Sequence, residues 1–255
     1  MYLQHFALTH YPFDHTLHTD ELFDSRAAQE VSGRIAHLVD LRGIGLITGE
    51  VGCGKTTACR KAADQLHPSL HRVCYASLTT STVLDTLNAI AHAMLLPGAR
   101  SRGEAWIAIH QEVKRLSEEK NLLPVLIIDE AHHLRNETLE DLRLLTNYHF
   151  DSQRRMCLLL VGLTPLAQRL VMRHHFSTLE YEETCQYLSH RLEKAGAADL
   201  DHFEPQALRA IHDASYGIIR QIDRIAHYAL TDAARACAKQ VSTDHVQNAC
   251  QEISL

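Results

Sequence analysis

Short, almost continuous apolar runs alternate with longer amphipathic stretches up to about residue 176. The apolar runs predict strands at 43–48, 72–78, 124–129 and 156–162. Runs of this kind are typical of strands that are buried on both faces of a parallel sheet. The amphipathic stretches predict helices at 25–41, 55–67, 82–95, 103–119 and 137–148. Strands that alternate with helices indicate βαβ units and a doubly wound α/β sheet.

The pattern changes near residue 177, after which it predicts helices only. These helices span 180–195, 205–215, 218–238 and 243–252. Gly196 and Gly217 stand where glycine commonly ends a helix, and Pro205 stands at a helix start. The change predicts an α/β core with the N-terminal segment over 1–176 and a small helical domain over 177–255.

Composition narrows the class of protein without identifying it. A chain of 255 residues with 45% hydrophobic content fits one core and one small soluble domain. The chain has no apolar run of about 20 residues and no leader pattern, and its seven cysteines are scattered. We therefore expect a cytoplasmic protein with free thiols and no membrane partner. The net charge of -6 argues against a wholly basic surface.

The stretch LITGEVGCGKTT, residues 46–57, joins a predicted strand to a predicted helix through a glycine-rich turn. It satisfies the phosphate-loop pattern G-x-x-x-x-G-K-[ST] in the required strand-to-helix context. Backbone N–H groups of such a loop surround phosphates, the Lys55 ammonium meets the β and γ oxygens of ATP, and the Thr56 hydroxyl binds Mg²⁺. The predicted nucleotide-binding residues are Gly49, Glu50, Val51, Gly52, Cys53, Gly54, Lys55, Thr56 and Thr57.

A second motif, PVLIIDEAHHL, is a predicted buried strand that ends in an acidic pair. We expect Asp129 to hold Mg²⁺ through the water shell of the ion, and Glu130 to act as general base on the attacking water. The alternative is that both acids only cap the following helix, which is common after a strand. Their position about 75 residues after a phosphate loop favours the catalytic interpretation.

Two other enzyme classes share parts of these motifs. Glu130 to His132 complete part of the DEAH signature of helicases, but such helicases need two ATPase lobes, and about 255 residues cannot hold two lobes. A small-molecule kinase usually needs a substrate-binding lid between its strands, and the pattern predicts none. ATP hydrolysis with Mg²⁺ therefore remains the favoured chemistry.

The order of the motifs resembles that of AAA+ ATPases. After the acidic pair come a strand ending in LLLVGLT, the segment AQRLVMRHHF and the helical stretch GIIRQIDRIAHYAL. More narrowly, the opening MYLQHFALTHYPFD resembles the ExeA-like group, which includes secretion ATPases and relatives of the transposition regulators TnsC, TniB and MuB. The resemblance implies an α/β fold, the three-layer P-loop sandwich of AAA+ proteins, followed by an all-helical lid.

The resemblance also implies roles outside the two motifs. Arg220 matches the sensor-2 arginine of the lid, which would contact the γ-phosphate. Thr164, or alternatively Asn147, would be the sensor-1 residue. Arg169 or Arg173 would be the arginine finger that enters the site of a neighbouring subunit. Tyr11, Pro12 and Phe13 would pack near the adenine.

The segment around the predicted finger departs from the pattern of the group. Between LVGLT at 160–164 and AQRLVMR at 167–173, only Pro165 and Leu166 stand where the group normally has about another helix. The short connection leaves the finger open between Arg169 and Arg173.

The resemblance leaves two outputs for the ATPase. The secretion members continue into a membrane helix and a cell-wall-binding domain, whereas this sequence stops at Leu255. That difference favours a stand-alone regulator of transposition, which forms a homo-oligomeric ring or helical filament on duplex DNA and contacts a transposase or target-selection protein. The alternative is an ATPase that acts on a protein partner in secretion or assembly.

Three loops between the predicted elements are candidates for DNA contact. Hydroxyl, arginine and backbone N–H groups are the usual partners of phosphate, without base specificity. The candidate residues are Thr79, Thr80, Arg100, Arg102, Arg154 and Arg155. The alternative is that the segment 79–82 caps the next helix and that the arginines are ordinary surface residues.

Overall fold

The computed structural model describes residues 2–13, 17–78, 82–148, 153–163, 172–197 and 201–254. The chain divides into two compact units. The first, which we call the sheet unit, comprises Ala28–Gly49 and Lys55–Phe176. The second, the helical unit, comprises Met1–Ala27, Glu50–Gly54 and Ser177–Leu255. The sequence pattern places the N-terminal segment with the α/β core, whereas in the structure this segment clusters with the C-terminal helices.

The strands form one main sheet and one small hairpin. In chain order they are β1 (Ile44–Gly49), β2 (His71–Ser77), β3 (Leu123–Asp129), β4 (Asn147–Tyr148), β5 (Gln153–Arg154), β6 (Cys157–Gly162) and β7 (Met172–Phe176). The main sheet has five parallel strands in the order β2-β3-β6-β1-β7. The antiparallel pair β4-β5 is separate. The predicted parallel α/β architecture is therefore confirmed.

Apart from the four-residue α1, which was not predicted, the helices follow the predicted amphipathic stretches within a few residues. They are α1 (Tyr2–His5), α2 (Arg26–Asp40), α3 (Lys55–Asp64), α4 (Val83–Ala93), α5 (Arg102–Lys114), α6 (Asn136–Thr146), α7 (Tyr181–Lys194), α8 (Pro205–Ser215), α9 (Ile219–Arg235) and α10 (Thr243–Ser254). Helix α5 continues into one π turn over Arg115–Glu119. Within the described residues, no helix is both long and apolar enough to cross a bilayer.

Three strands are not predicted by the hydrophobic pattern. Strand β7 has the sequence MRHHF, which lacks an apolar run, and it pairs with β1 at the edge of the sheet. The hairpin strands β4 and β5 have two residues each, too few for any period to be recognised. The four predicted strands are present, and the three additional ones are recognised only through their pairing in the structure.

The core of the sheet unit is formed by the apolar strands and by the helices that cover them. Leu46, Leu126 and Leu158 are buried in it, together with Leu87 and Ile109 from α4 and α5. The two covering helices begin with side-chain caps, as their sequences favour. The hydroxyl oxygens of Thr82 and Ser101 accept hydrogen bonds, each of 3.2 Å, from the backbone N–H groups of Asp85 and Glu104.

The core of the helical unit explains why the N-terminal segment belongs to it. Tyr2, Phe6 and Phe13 are buried in one cluster with apolar residues of α7, α8, α9 and α10. The chain turns sharply before α9 at Gly217, where φ is +70°. A Cβ atom at this position would lie 2.0 Å from the carbonyl oxygen of Leu179, so only glycine fits.

Candidate nucleotide-binding site

The phosphate-binding lysine lies at the carboxyl edge of the parallel sheet. Strand β1 ends at Gly49 and helix α3 begins at Lys55, as the motif requires. The Lys55 ammonium donates a hydrogen bond of 3.0 Å to the carbonyl oxygen of Gly49. This contact keeps the lysine folded over the start of its own loop, from which it can reach phosphate oxygens.

The predicted metal ligands meet in the sheet unit. The Thr56 hydroxyl donates a hydrogen bond of 2.7 Å to Oδ2 of Asp129, which ends β3. Asp129 is only 5% exposed. Two hard oxygen donors at this distance fit Mg²⁺, which is usually held by one or two protein groups together with substrate phosphates and waters. Within the described part of the chain, no group of three or more His, Cys, Asp or Glu side chains offers a separate metal site.

Two further donors complete the environment of the Asp129 carboxylate. The backbone N–H of Glu130 donates to Oδ1 at 2.8 Å. The phenol of Tyr75, on β2, donates to Oδ2 at 2.9 Å. The hydrophobic pattern of β2 gives no sign of this role. The parallel register of β2 and β3 explains it, because Ser77 lies opposite Asp129 and side chains two residues apart point to the same face.

The predicted general base has an unusual backbone conformation. Glu130 has φ +54° and ψ 33°, in the left-handed region that non-glycine residues seldom adopt. Its side chain is about half exposed, and one carboxylate oxygen lies 3.3 Å from Nδ1 of His132. This nitrogen lies in a buried position and makes no hydrogen bond of good geometry. Strain of this kind is concentrated at functional sites in proteins.

Within the helical unit, the first turn of α9 contacts the middle of the phosphate loop. The backbone N–H of Arg220 donates a hydrogen bond of 3.1 Å to the carbonyl oxygen of Gly52. Gly52 has φ +82°, and a Cβ atom there would lie 2.7 Å from Cβ of Arg220. The glycine is therefore required by both its backbone angle and the proximity of Arg220. This contact places the backbone of Arg220, the predicted sensor-2 residue, beside Gly52.

The predicted adenine contacts, Tyr11 and Phe13, lie in different environments. Phe13 is 8% exposed, and the Arg191 guanidinium lies 5.9 Å from the centre of its ring. The Tyr11 ring lies 6.0 Å from that of His227, which is about 10 Å along α9 from Arg220 at 1.5 Å per residue. The burial of Phe13 argues against stacking on a base, so of the two only Tyr11 presents an accessible ring.

Four predicted catalytic residues remain, the two sensor-1 candidates and the two candidates for the arginine finger. Thr164 and Arg169 lie outside the described residues. Asn147 is the first residue of β4 and Arg173 lies within β7. The identities of the sensor-1 residue and of the arginine finger therefore stay predictions.

The candidate arginines differ in exposure and in pairing, and Arg102 is both exposed and paired. The Arg102 guanidinium makes two hydrogen bonds, of 2.8 and 2.5 Å, to the Asp141 carboxylate. Arg155 is 7% exposed and forms an ion pair with Glu118, which argues against its predicted role at a DNA surface. Arg100 is exposed.

The other candidates are two threonines and Arg154. Thr79 and Thr80 lie outside the described residues. Arg154 is exposed and lies in β5, which precedes the amino end of β6.

Comparison with known proteins identifies sequence relatives of this site. A family model described as AAA domain matches residues 39–170, which include both motifs. The chain is 34% identical over 272 aligned positions to General secretion pathway protein A of Aeromonas hydrophila. The alignment covers 100% of this chain and 49% of that protein, so the chain spans about half the length of its relative.

Solved structures share the fold at much lower sequence identity. Cdc6p from Pyrobaculum aerophilum aligns with a TM-score of 0.72 and 18% identity, over 95% of this chain and 70% of that one. The ORC2 protein of Aeropyrum pernix aligns with a TM-score of 0.70 and 20% identity, over 94% and 70% of the two chains. Drosophila ORC bound to DNA gives a TM-score of 0.71 and 16% identity, over 96% and 64%.

Proposed function

The chain belongs to the AAA domain family, and from this premise we propose that ATP binding and hydrolysis control its assembly on duplex DNA beside a transposase. The ATPase part of this proposal has the firmest support, because family membership and site chemistry agree. The observation that carries it is the contact of 2.7 Å between the Thr56 hydroxyl and the Asp129 carboxylate, which brings together oxygens from both motifs.

Each residue of the site has a distinct task in the proposed hydrolysis. Lys55 binds and neutralises the β and γ phosphate oxygens. Thr56 and Asp129 would hold Mg²⁺, which when bound supplies positive charge to the same oxygens. Glu130 accepts a proton from the attacking water as general base. Its exposed carboxylate leaves room for that water, which a buried and fully paired acid would not.

Three further residues are proposed to make hydrolysis respond to assembly. Arg220, next to Gly52, would contact the γ-phosphate through its guanidinium. Arg169 would enter the site of a neighbouring subunit, and Thr164 would sense the γ-phosphate from the end of β6. An arginine supplied in this way can accelerate phosphoryl transfer by about 10³–10⁵-fold. Hydrolysis is then fast only in the assembled state.

The DNA part of the proposal rests on the resemblance to transposition regulators and on the exposed arginines Arg100 and Arg154. A chain with a net charge of -6 lacks a generally basic surface. An assembly can nevertheless bind DNA tightly, because many weak phosphate contacts act together once the subunits are linked. ATP-dependent assembly would therefore switch DNA binding on. The assembled subunits could then direct a transposase, and with it DNA recombination, to the bound duplex.

A second candidate function is supported by the secretion relative. All of this chain aligns, at 34% identity, with about half of General secretion pathway protein A. Two of the four candidate arginines also have carboxylate partners within the chain: the exposed Arg102 is paired with Asp141, and the buried Arg155 with Glu118. In this alternative the same ATPase cycle controls binding to a protein partner in secretion or assembly, without nucleic acid.

Binding of duplex DNA by the Glu130→Gln variant separates the two candidates. This variant should bind ATP and not hydrolyse it, because Lys55, Thr56 and Asp129 remain while the base is lost. We expect it to bind labelled random duplex with ATP, as large oligomers in electron micrographs, and to release the duplex with ADP. Fluorescence anisotropy at several salt concentrations should show a steep loss of affinity with added salt.

Glu140→Gln is the matched control, because Glu140 is an exposed acid paired with Arg143 and lies outside the site. It should hydrolyse ATP as the unmodified protein does and should not lock DNA binding. Absence of duplex binding by Glu130→Gln in both nucleotide states would refute the DNA proposal and favour the protein-partner alternative.

A further inference from the structure

Tyr75 occupies an unusual position for a residue that contacts a buried acid. It lies on β2, an edge strand on which buried and exposed side chains alternate. The residue as a whole is 49% exposed, yet its phenol donates a hydrogen bond of 2.9 Å to Oδ2 of Asp129. The hydroxyl therefore reaches from an exposed edge of the sheet to an acid that is 5% exposed.

The two side-chain donors to Oδ2 differ in their relation to a bound metal. Thr56 and Tyr75 both donate to this oxygen, while the Glu130 N–H donates to Oδ1. Thr56 would itself be a metal ligand: it would bind Mg²⁺ through an oxygen lone pair and keep its proton for the carboxylate. Tyr75 and the backbone N–H bind no metal, and their hydrogen bonds to the two oxygens together fix the rotation of the carboxylate.

We propose that Tyr75 is a positioning residue, which orients the Asp129 carboxylate for Mg²⁺ without touching nucleotide or metal. The inference deepens the proposed ATPase function and rests on it. A carboxylate held by hydrogen bonds at both oxygens presents its free lone pairs in fixed directions. Groups that orient metal ligands in this way contribute strongly to metal affinity.

A purely structural role for Tyr75 makes a different prediction. If the ring mattered only through packing on β2, phenylalanine would replace it without any change in metal dependence. If the hydroxyl orients Asp129, the Tyr75→Phe variant keeps the packing and loses only the orientation. The apparent dissociation constant for Mg²⁺ should then rise, while the ATPase rate at saturating Mg²⁺ stays the same.

The test is direct metal binding by Tyr75→Phe. In the presence of ADP, loss of the electron paramagnetic resonance signal of free Mn²⁺ reports the bound metal. We expect about 10-fold weaker Mn²⁺ binding, in the range typical for loss of a group that orients a metal ligand. In steady-state assays the Mg²⁺ concentration for half-maximal ATPase rate should rise by about the same factor, with a maximal rate within about twofold.

Tyr228→Phe serves as the control. It also removes one phenol hydroxyl, but from α9, which does not contribute to the environment of Asp129. It should leave both metal constants unchanged. Metal constants for Tyr75→Phe within about twofold of those of the unmodified protein, with a correctly folded variant, would overturn the inference. Lys55→Ala separates this failure from that of the ATPase proposal: turnover by Lys55→Ala would refute the nucleotide site itself.

Discussion

Asp129 is an acid with little solvent contact, and its carboxylate is nevertheless fully supplied with hydrogen-bond donors. Thr56, Tyr75 and the Glu130 backbone all donate to it. A buried charge without such partners would cost several kcal/mol. The roles of Thr56 and Asp129 could be predicted from the sequence, because the spacing of the two motifs that contain them is specific. The role of Tyr75 could not be predicted, because it depends on the register between β2 and β3.

The ion pairs of the arginines could not be predicted from the sequence either. Arg102 and Asp141 are separated by 39 positions, and Arg155 and Glu118 by 37. Nothing in the local pattern distinguishes the buried Arg155 from Arg100, Arg102 and Arg154, which are exposed. Only the fold decides which guanidinium groups already have a carboxylate partner.

Arg220→Ala should slow hydrolysis more than it weakens nucleotide binding. The arginine would stabilise charge that develops on the γ-phosphate, and loss of one such donor typically costs about 10²-fold in rate. Steady-state ATPase rates and the dissociation constant of a fluorescent ATP analogue should be compared. Arg209→Ala is the control, because Arg209 forms an exposed pair with Asp213. Hydrolysis by Arg220→Ala at the unmodified rate would contradict the sensor-2 assignment.

Most secondary-structure elements follow from the hydrophobic pattern, and the exceptions have physical reasons. The four apolar strands and the helices were predicted within a few residues, because burial on both faces leaves a strong pattern. Strand β7 was missed, since its sequence MRHHF has no such pattern and its pairing with β1 forms it. Helix α1 was missed as well, because four residues are too few for a period.

Gly52→Ala should disturb the contact between the phosphate loop and the first turn of α9. The new Cβ atom would lie 2.7 Å from Cβ of Arg220, on a residue with φ +82°. Strain in this region costs about 1–3 kcal/mol, so the free energy of unfolding should fall and nucleotide binding should be lost. Chemical denaturation and binding of a fluorescent ATP analogue would measure the two effects.

Gly103→Ala is the matched control for this substitution. Gly103 lies in α5, and a Cβ atom there would meet nothing within 4 Å. Alanine should therefore raise the free energy of unfolding by about 0.4–1 kcal/mol, because it restricts the unfolded chain. Unchanged stability and nucleotide binding in Gly52→Ala would show that the loop does not need this conformation.

At the scale of the whole molecule, the AAA domain match and the solved structures agree on the fold. The chain spans about half the length of its secretion relative. The N-terminal segment belongs to the helical unit because Tyr2, Phe6 and Phe13 pack in its core, and this tertiary packing leaves no signal in the local sequence pattern.

The central claim is that the residues of the two motifs form one hydrolytic site for Mg·ATP. The most direct test measures phosphate release and ATP binding in the unmodified protein, in Lys55→Ala and in Glu130→Gln. We predict that Lys55→Ala loses both ATP binding and hydrolysis, because its ammonium meets the β and γ oxygens. Glu130→Gln should retain binding and lose about 10²-fold or more in rate, as expected for loss of a general base. Phosphate release at the unmodified rate by both variants would contradict the account.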